Sequence, residues 1–90
     1  MFIKSKIRIT RGCQPYLYDA VLIPEGKRVI TLGTEDMFFG DLVEALCFLI
    51  DPYVGYLTDR EFAKHLLAIT SNDEYEFTLN LDEEDEIFLT

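Results

Sequence analysis

Polar and apolar positions along this chain follow two periods, and the switches between them mark its elements. Phe2 to Thr10 alternates, with Ile3, Ser5, Ile7 and Ile9 on one side and Lys4, Lys6 and Arg8 on the other. This is the pattern of a half-buried strand with a basic outer stripe. Arg11-Gly12-Cys13-Gln14-Pro15 breaks it. Tyr16 to Ile23 is a second β-rich run, largely apolar on both faces, as expected of a central strand. Pro24-Glu25-Gly26 supplies a turn, with Pro suited to its second position and Gly to its exit. Arg28 to Leu32 then reads as the returning strand of a hairpin.

From Gly33 the period lengthens to that of a helix. Thr34 is the expected N-cap, and Glu35 and Asp36 suit the positive end of a helix dipole. Steps of about 100° put Phe38, Leu42, Ala45, Leu46 and Leu49 on one face, flanked by Phe39, Val43 and Ile50. Asp51-Pro52 ends this helix, because the residue before Pro avoids the α region. Tyr53 to Leu57 is an aromatic connection. Thr58-Asp59-Arg60-Glu61 is a capping box that opens a second helix. In it Phe62, Leu66 and Ile69 face inward, and Ser71-Asn72 stops it.

Tyr75, Phe77, Leu79 and Leu81 then alternate with Glu76, Thr78 and Asn80, again the period of a half-buried strand. A turn at Asp82 to Asp85 and a short final strand at Ile87 to Leu89 complete a hairpin. The expected order is β-β-β-α-α-β-β. The economical arrangement is an α+β fold, an antiparallel sheet with two helices packed on one face. Residues 1–90 read as one domain, without repeats or low-complexity linkers.

Charge changes this picture. Residues 1–28 carry a net +4 and residues 29–90 a net −13, which together give the −9 of the chain. The segment from Asp73 to Thr90 holds eight carboxylates and no Lys, Arg or His. An acidic run of this kind usually marks a disordered tail. Here the alternation predicts ordered backbone, and fixed charge can recognise a partner's shape. A net of −9 argues against direct contact with a nucleic-acid backbone or an anionic membrane, both of which attract Lys and Arg. The matching partner is a basic protein surface, such as one that itself binds nucleic acid. The plain alternative is that the charge serves solubility.

A chain of ninety residues buries roughly 60–68% of its unfolded surface, and 49% hydrophobic residues suffice for a core without disulfides or metal. Cys13 and Cys47 do not make a disulfide framework, and Cys47 stands in the most apolar stretch, as a small hydrophobe would. Lys4, Lys6 and Arg8 interrupt any leader-like apolar region, so the expected compartment is the cytoplasm.

Chemistry-bearing patterns are few. His65 is the sole histidine, and a Cys47–His65 nucleophile and base would need the two helices packed antiparallel. An ordinary boundary histidine is the simpler reading. The Asp82 to Glu86 run lacks the alternating ligands and turn-making Gly of a calcium loop. Gly12, Gly26, Gly33, Gly40 and Gly55 stand singly, without the spacing of a phosphate loop. No enzyme, metal or cofactor role is expected.

Binding patterns are stronger. Met37, Asp41, Glu44 and Phe48 fall on one stripe of the first helix, two apolar anchors bracketing two acids. The competing reading has the second helix covering Met37 and Phe48. On the acidic strand, outward residues repeat every ~6.6 Å, comparable to phosphates along an extended strand. Glu74 and Glu76, with Asp82, Glu83, Glu84, Asp85 and Glu86, thus offer a phosphate-like line for a basic groove. Ile87-Phe88-Leu89 would pair within the sheet, or add to a partner's.

In size and charge, though in no particular residues, the chain resembles the small acidic proteins of phages and mobile elements, among them anti-CRISPR proteins and DNA mimics. That resemblance implies a non-enzymatic inhibitor docking on a host protein's basic surface. The alternative is a structural or assembly module, a homodimer or subunit adaptor.

Overall fold

Four β-branched or alternating segments pair into one antiparallel sheet, β1 (Phe2–Arg11), β2 (Tyr18–Pro24), β3 (Ile30–Met37) and β4 (Glu74–Asp82), in the order β3-β2-β1-β4. Two helices, α1 (Phe39–Leu46) and α2 (Asp59–Ser71), complete an α+β fold. This computed structural model describes residues 1–50 and 56–89. The expected helix stop at Asp51-Pro52 and the connection at 53–55 lie outside the described residues.

Register follows the alternation. Ile7 stands opposite Leu22 of β2 and Phe77 of β4, and Ile9 stands opposite Ala20 and Tyr75. A slip of one residue would turn all of these outward, so the pattern fixes the pairing. Apart from Tyr75, which packs against it half-buried, these residues, with Leu81, Leu32 and Tyr18, join Leu42 and Leu46 of α1 and Phe62 and Ile69 of α2 in a single buried cluster. A 3₁₀ segment, Cys47–Ile50, extends α1 and buries Leu49. Capping of α2 is as expected: the Thr58 hydroxyl accepts from the Glu61 N–H, and the Glu61 carboxylate accepts from the Thr58 N–H. No helix among the described residues is long and apolar enough to cross a membrane.

Three expectations are corrected. Thr34 does not cap α1; residues 34–37 continue β3, and the helix starts at Phe39 with Phe38 as N-cap. The cause is tertiary. Asp36 adopts a left-handed conformation (φ 54°), donates its N–H to Asp19 Oδ1 at 2.8 Å, and accepts the Cys13 N–H at 2.7 Å. These bonds, with a bulge where the β2–β3 register shifts between Tyr18 and Ala20, outweigh the local cap signal. In the β2–β3 turn, Pro24 takes the first position rather than the second, its carbonyl accepting the Lys27 N–H at 3.3 Å, while Gly26 supplies φ 76°. The final strand is absent: Glu86–Phe88 is a 3₁₀ turn. Asp85 Oδ1 accepts the Ile87 N–H at 3.1 Å, and Ile87 and Phe88 turn onto the core, so the acidic segment is one strand and a turn rather than a hairpin.

Candidate interaction surfaces

The basic stripe and the acidic strand are neighbours. β1 and β4 pair with Arg8 opposite Glu76, Lys6 opposite Thr78 and Thr10 opposite Glu74, all on the sheet face away from the core. Arg8 Nε donates to Glu76 Oε2, Lys6 Nζ lies 3.9 Å from Glu76 Oε1, and Arg8 Nε lies 3.9 Å from Glu74 Oε1. The Arg8 hydrogen bond, helped by its charge and that of Lys6, holds the Glu76 carboxyl below its ordinary value. Glu74 and Glu76 therefore belong to an internal charge cluster, which shortens the phosphate-like line to the turn that follows.

That turn is tied down along its length. The Tyr56 hydroxyl donates to Asp85 Oδ2 at 2.9 Å and accepts from the Asp82 N–H at 2.9 Å. Burial, then the carboxylates of Asp85 and Asp82, push the phenol up to about 12, against the pull of the Asp82 N–H. Asp82 Oδ1 accepts the Glu84 N–H at 2.9 Å, and the Met1 carbonyl accepts the Glu83 N–H at 3.0 Å. Asp82 and Asp85 thus act as backbone acceptors, whereas Glu83, Glu84 and Glu86 are exposed. No cation among the described residues forms an ion pair with these three. Beyond the turn, Lys27 Nζ sits 5.5 Å from the centroid of the Phe88 ring.

The stripe expected on α1 divides. Asp41 and Glu44 are exposed, but Phe48 lies in the 3₁₀ segment, half-buried against the core. Met37 is 3% exposed at the end of β3 and is not helical. Starting the helix at Phe39 instead of Thr34 removes Met37 from it. Met37 is therefore a core residue and Phe48 packs half-buried against the core, and two acids remain on the surface.

His65 and Cys47 have separate surroundings. The His65 ring stacks on Phe77 (centroids 4.0 Å apart, planes at 16°), and its Nδ1 is 2.8 Å from the Tyr75 hydroxyl. Burial holds the imidazole below its ordinary value, opposed by the charge of Glu61. Cys47 is exposed, contrary to its apolar sequence context, because the side chains at 46 and 49 take the inward positions of the tightened helix end.

Sequence reasoning missed the surface at the other end of the sheet. Tyr16 and Phe38 are each 62% exposed and stack on one another (centroids 6.3 Å, planes at 16°). The sequence periodicity places Phe38 on the core face, whereas as N-cap of a helix starting at Phe39 it turns outward. Beneath them Tyr18 meets Phe39 at 5.8 Å, and the Arg11 guanidinium lies 4.6 Å from the Tyr18 ring centroid. In comparison with known proteins, no family model, curated protein or solved structure matches the chain.

Proposed function

We propose that the chain is a non-enzymatic interaction module whose acidic C-terminal turn occupies a basic surface on another protein, of the kind that holds nucleic acid. The observation that carries this reading is the turn: Glu83, Glu84 and Glu86 are exposed and form no ion pair among the described residues, on backbone held by Tyr56, Asp82, Asp85 and Met1. Charge on pinned backbone loses little conformational freedom on binding, so more of its attraction survives as affinity. It also steers encounter with a positive patch. Asp41 and Glu44 on α1 offer a second acidic contact. Inhibition by occupying a nucleic-acid site, as a phage-type mimic does, is the narrower form of this reading.

The test is partner capture with the full chain at two salt concentrations, beside the variant E83K/E84K/E86K. Raised salt and charge reversal should each weaken capture, the reversal by roughly tenfold or more if three exposed pairs are lost. Capture that is indifferent to both overturns the proposal. Sizing chromatography of the chain alone separates it from a homodimeric assembly module.

A further inference from the structure

We propose a second docking surface, distinct from the acidic turn: the Tyr16–Phe38 ring pair is a pad for an arginine side chain on an extended segment of a partner protein. Three observations carry it. First, both rings are 62% exposed, yet they are ordered against each other at 6.3 Å with planes at 16°, which leaves a stacked aromatic pair open to solvent. Guanidinium stacks on an aromatic face by both charge and planarity, which favours Arg over Lys.

Second, the pad is built rigidly. Gly12 N–H donates to Leu17 O at 2.9 Å, Leu17 N–H to Gln14 O at 3.0 Å, and Arg11 Nη1 to Pro15 O at 3.2 Å. Asp36 then fastens this loop to the end of β3 through the Cys13 N–H, in a left-handed conformation that a non-glycine residue adopts only at a cost. A Cβ on Gly12 would overlap the Asp36 carboxylate, so the close approach needs glycine there. Stored strain of this kind, maintained beside two exposed rings, fits a surface that is shaped before its partner arrives.

Third, the charge is complementary. Glu35 and Asp41 stand three residues to either side of Phe38, both exposed. Between residues 12 and 50 the only cations are Lys27 and Arg28, in the β2–β3 turn at the far end of the sheet. Arg11 is occupied, its Nη2 donating to the carbonyls of Ile69, Thr70 and Asn72. A second copy of the chain would bring acids against acids, and an apolar partner would gain nothing from them.

The experiment follows the aromatic NMR signals of the full chain during titration with a glycine–serine pentapeptide bearing one arginine. Matched peptides with lysine or with uncharged citrulline serve as comparators. The arginine peptide should shift the Tyr16 and Phe38 ring signals saturably, lysine more weakly and citrulline hardly at all. Tyr16→Ala and Phe38→Ala should each weaken binding about two- to fivefold, and Asp41→Asn about twofold. E83K/E84K/E86K should bind the peptide as the parent does, which keeps this result independent of the acidic turn. Equal binding of citrulline, unmoved ring signals, or ring variants with parental affinity would overturn the proposal. So would ring shifts that depend on protein concentration alone, since these would assign the pad to a second copy. Should an alanine variant fail to fold, the three peptides on the parent chain decide.

Discussion

Replacing Arg11 with Ala should destabilise the fold by about 2.5–3.5 kcal/mol, although the residue lies at a strand end and is itself only half-buried. The magnitude follows from what its guanidinium holds. α2 ends with no basic residue in its last turn, so its C-terminal carbonyls and negative dipole end have no cation of their own. Arg11 supplies one from β1: Nη2 meets Asn72 O at 2.8 Å and Ile69 O and Thr70 O at 3.3 Å each. The short bond, with a charged donor, contributes about 1.5–3 kcal/mol at most, and partial exposure places it at the lower end. The two long bonds add little. The dipole and the Tyr18 ring each contribute about 0.5–1 kcal/mol. For a chain of this size, total stability is on the order of 5–13 kcal/mol. The loss would lower the melting temperature by about 10–20 °C. Urea unfolding should show a lower midpoint with an unchanged slope. Arg11→Lys keeps the charge but loses the fork, and should fall between Ala and the parent. An Ala variant within 0.5 kcal/mol of the parent would refute the reasoning. A Lys variant equal to the parent would refute the part assigned to the fork.

His65, held below its ordinary value of about 6.5 by burial, binds its proton more weakly when folded than when unfolded. Its contribution to stability is whole above that unfolded value and is lost as pH falls through the lower folded one; the midpoint difference between parent and His65→Phe should slope across this range, and a flat difference refutes it. Tyr56→Phe removes the hydroxyl between the Asp82 N–H and Asp85, costing about 1–2 kcal/mol and speeding amide exchange at Asp82; unchanged exchange there would refute the role. Gly12→Ala should cost about 1–3 kcal/mol through overlap with Asp36, and Asp36→Gly should remove most of that penalty. A double-mutant cycle with strictly additive costs would rule the contact out.

What the sequence discloses divides by how local the signal is. The parity of β1 and β4 is legible because alternation is a property of neighbouring residues, and Ile7 and Phe77 declare their face without knowing each other. The α2 start is legible because both halves of its cap, Thr58 and Glu61, lie three residues apart. The α1 start is not. Thr34 carries a good cap signal, and it is overruled by bonds from Asp19 and Cys13, which are distant in the chain. The same cap signal places Phe38 inward, whereas the start at Phe39 leaves it stacked on Tyr16, a partner twenty-two residues away. Strand order is not a local property, so the pairing of Arg8 with Glu76 emerges only from the fold.

That pairing alters what the net charge means. Among the described residues, carboxylates are spent in three ways: Glu74 and Glu76 on the basic stripe, Asp19, Asp36, Glu61, Asp82 and Asp85 on backbone N–H groups, and others, Glu83, Glu84 and Glu86 among them, on the surface. Apart from Glu44 on α1, the exposed acids argued above for docking then fall into two sets. Glu83, Glu84 and Glu86 lie where β4 ends beside Phe2, while Glu35 and Asp41 flank the rings near Tyr18, at the end where β4 begins. The length of β4 between these ends is about 26 Å at ~3.3 Å per residue. A Debye length of about 8 Å at physiological ionic strength leaves each end nearly blind to the other's charge. If both proposed surfaces bind, they act as separate elements, and a charge change at one should leave binding at the other intact.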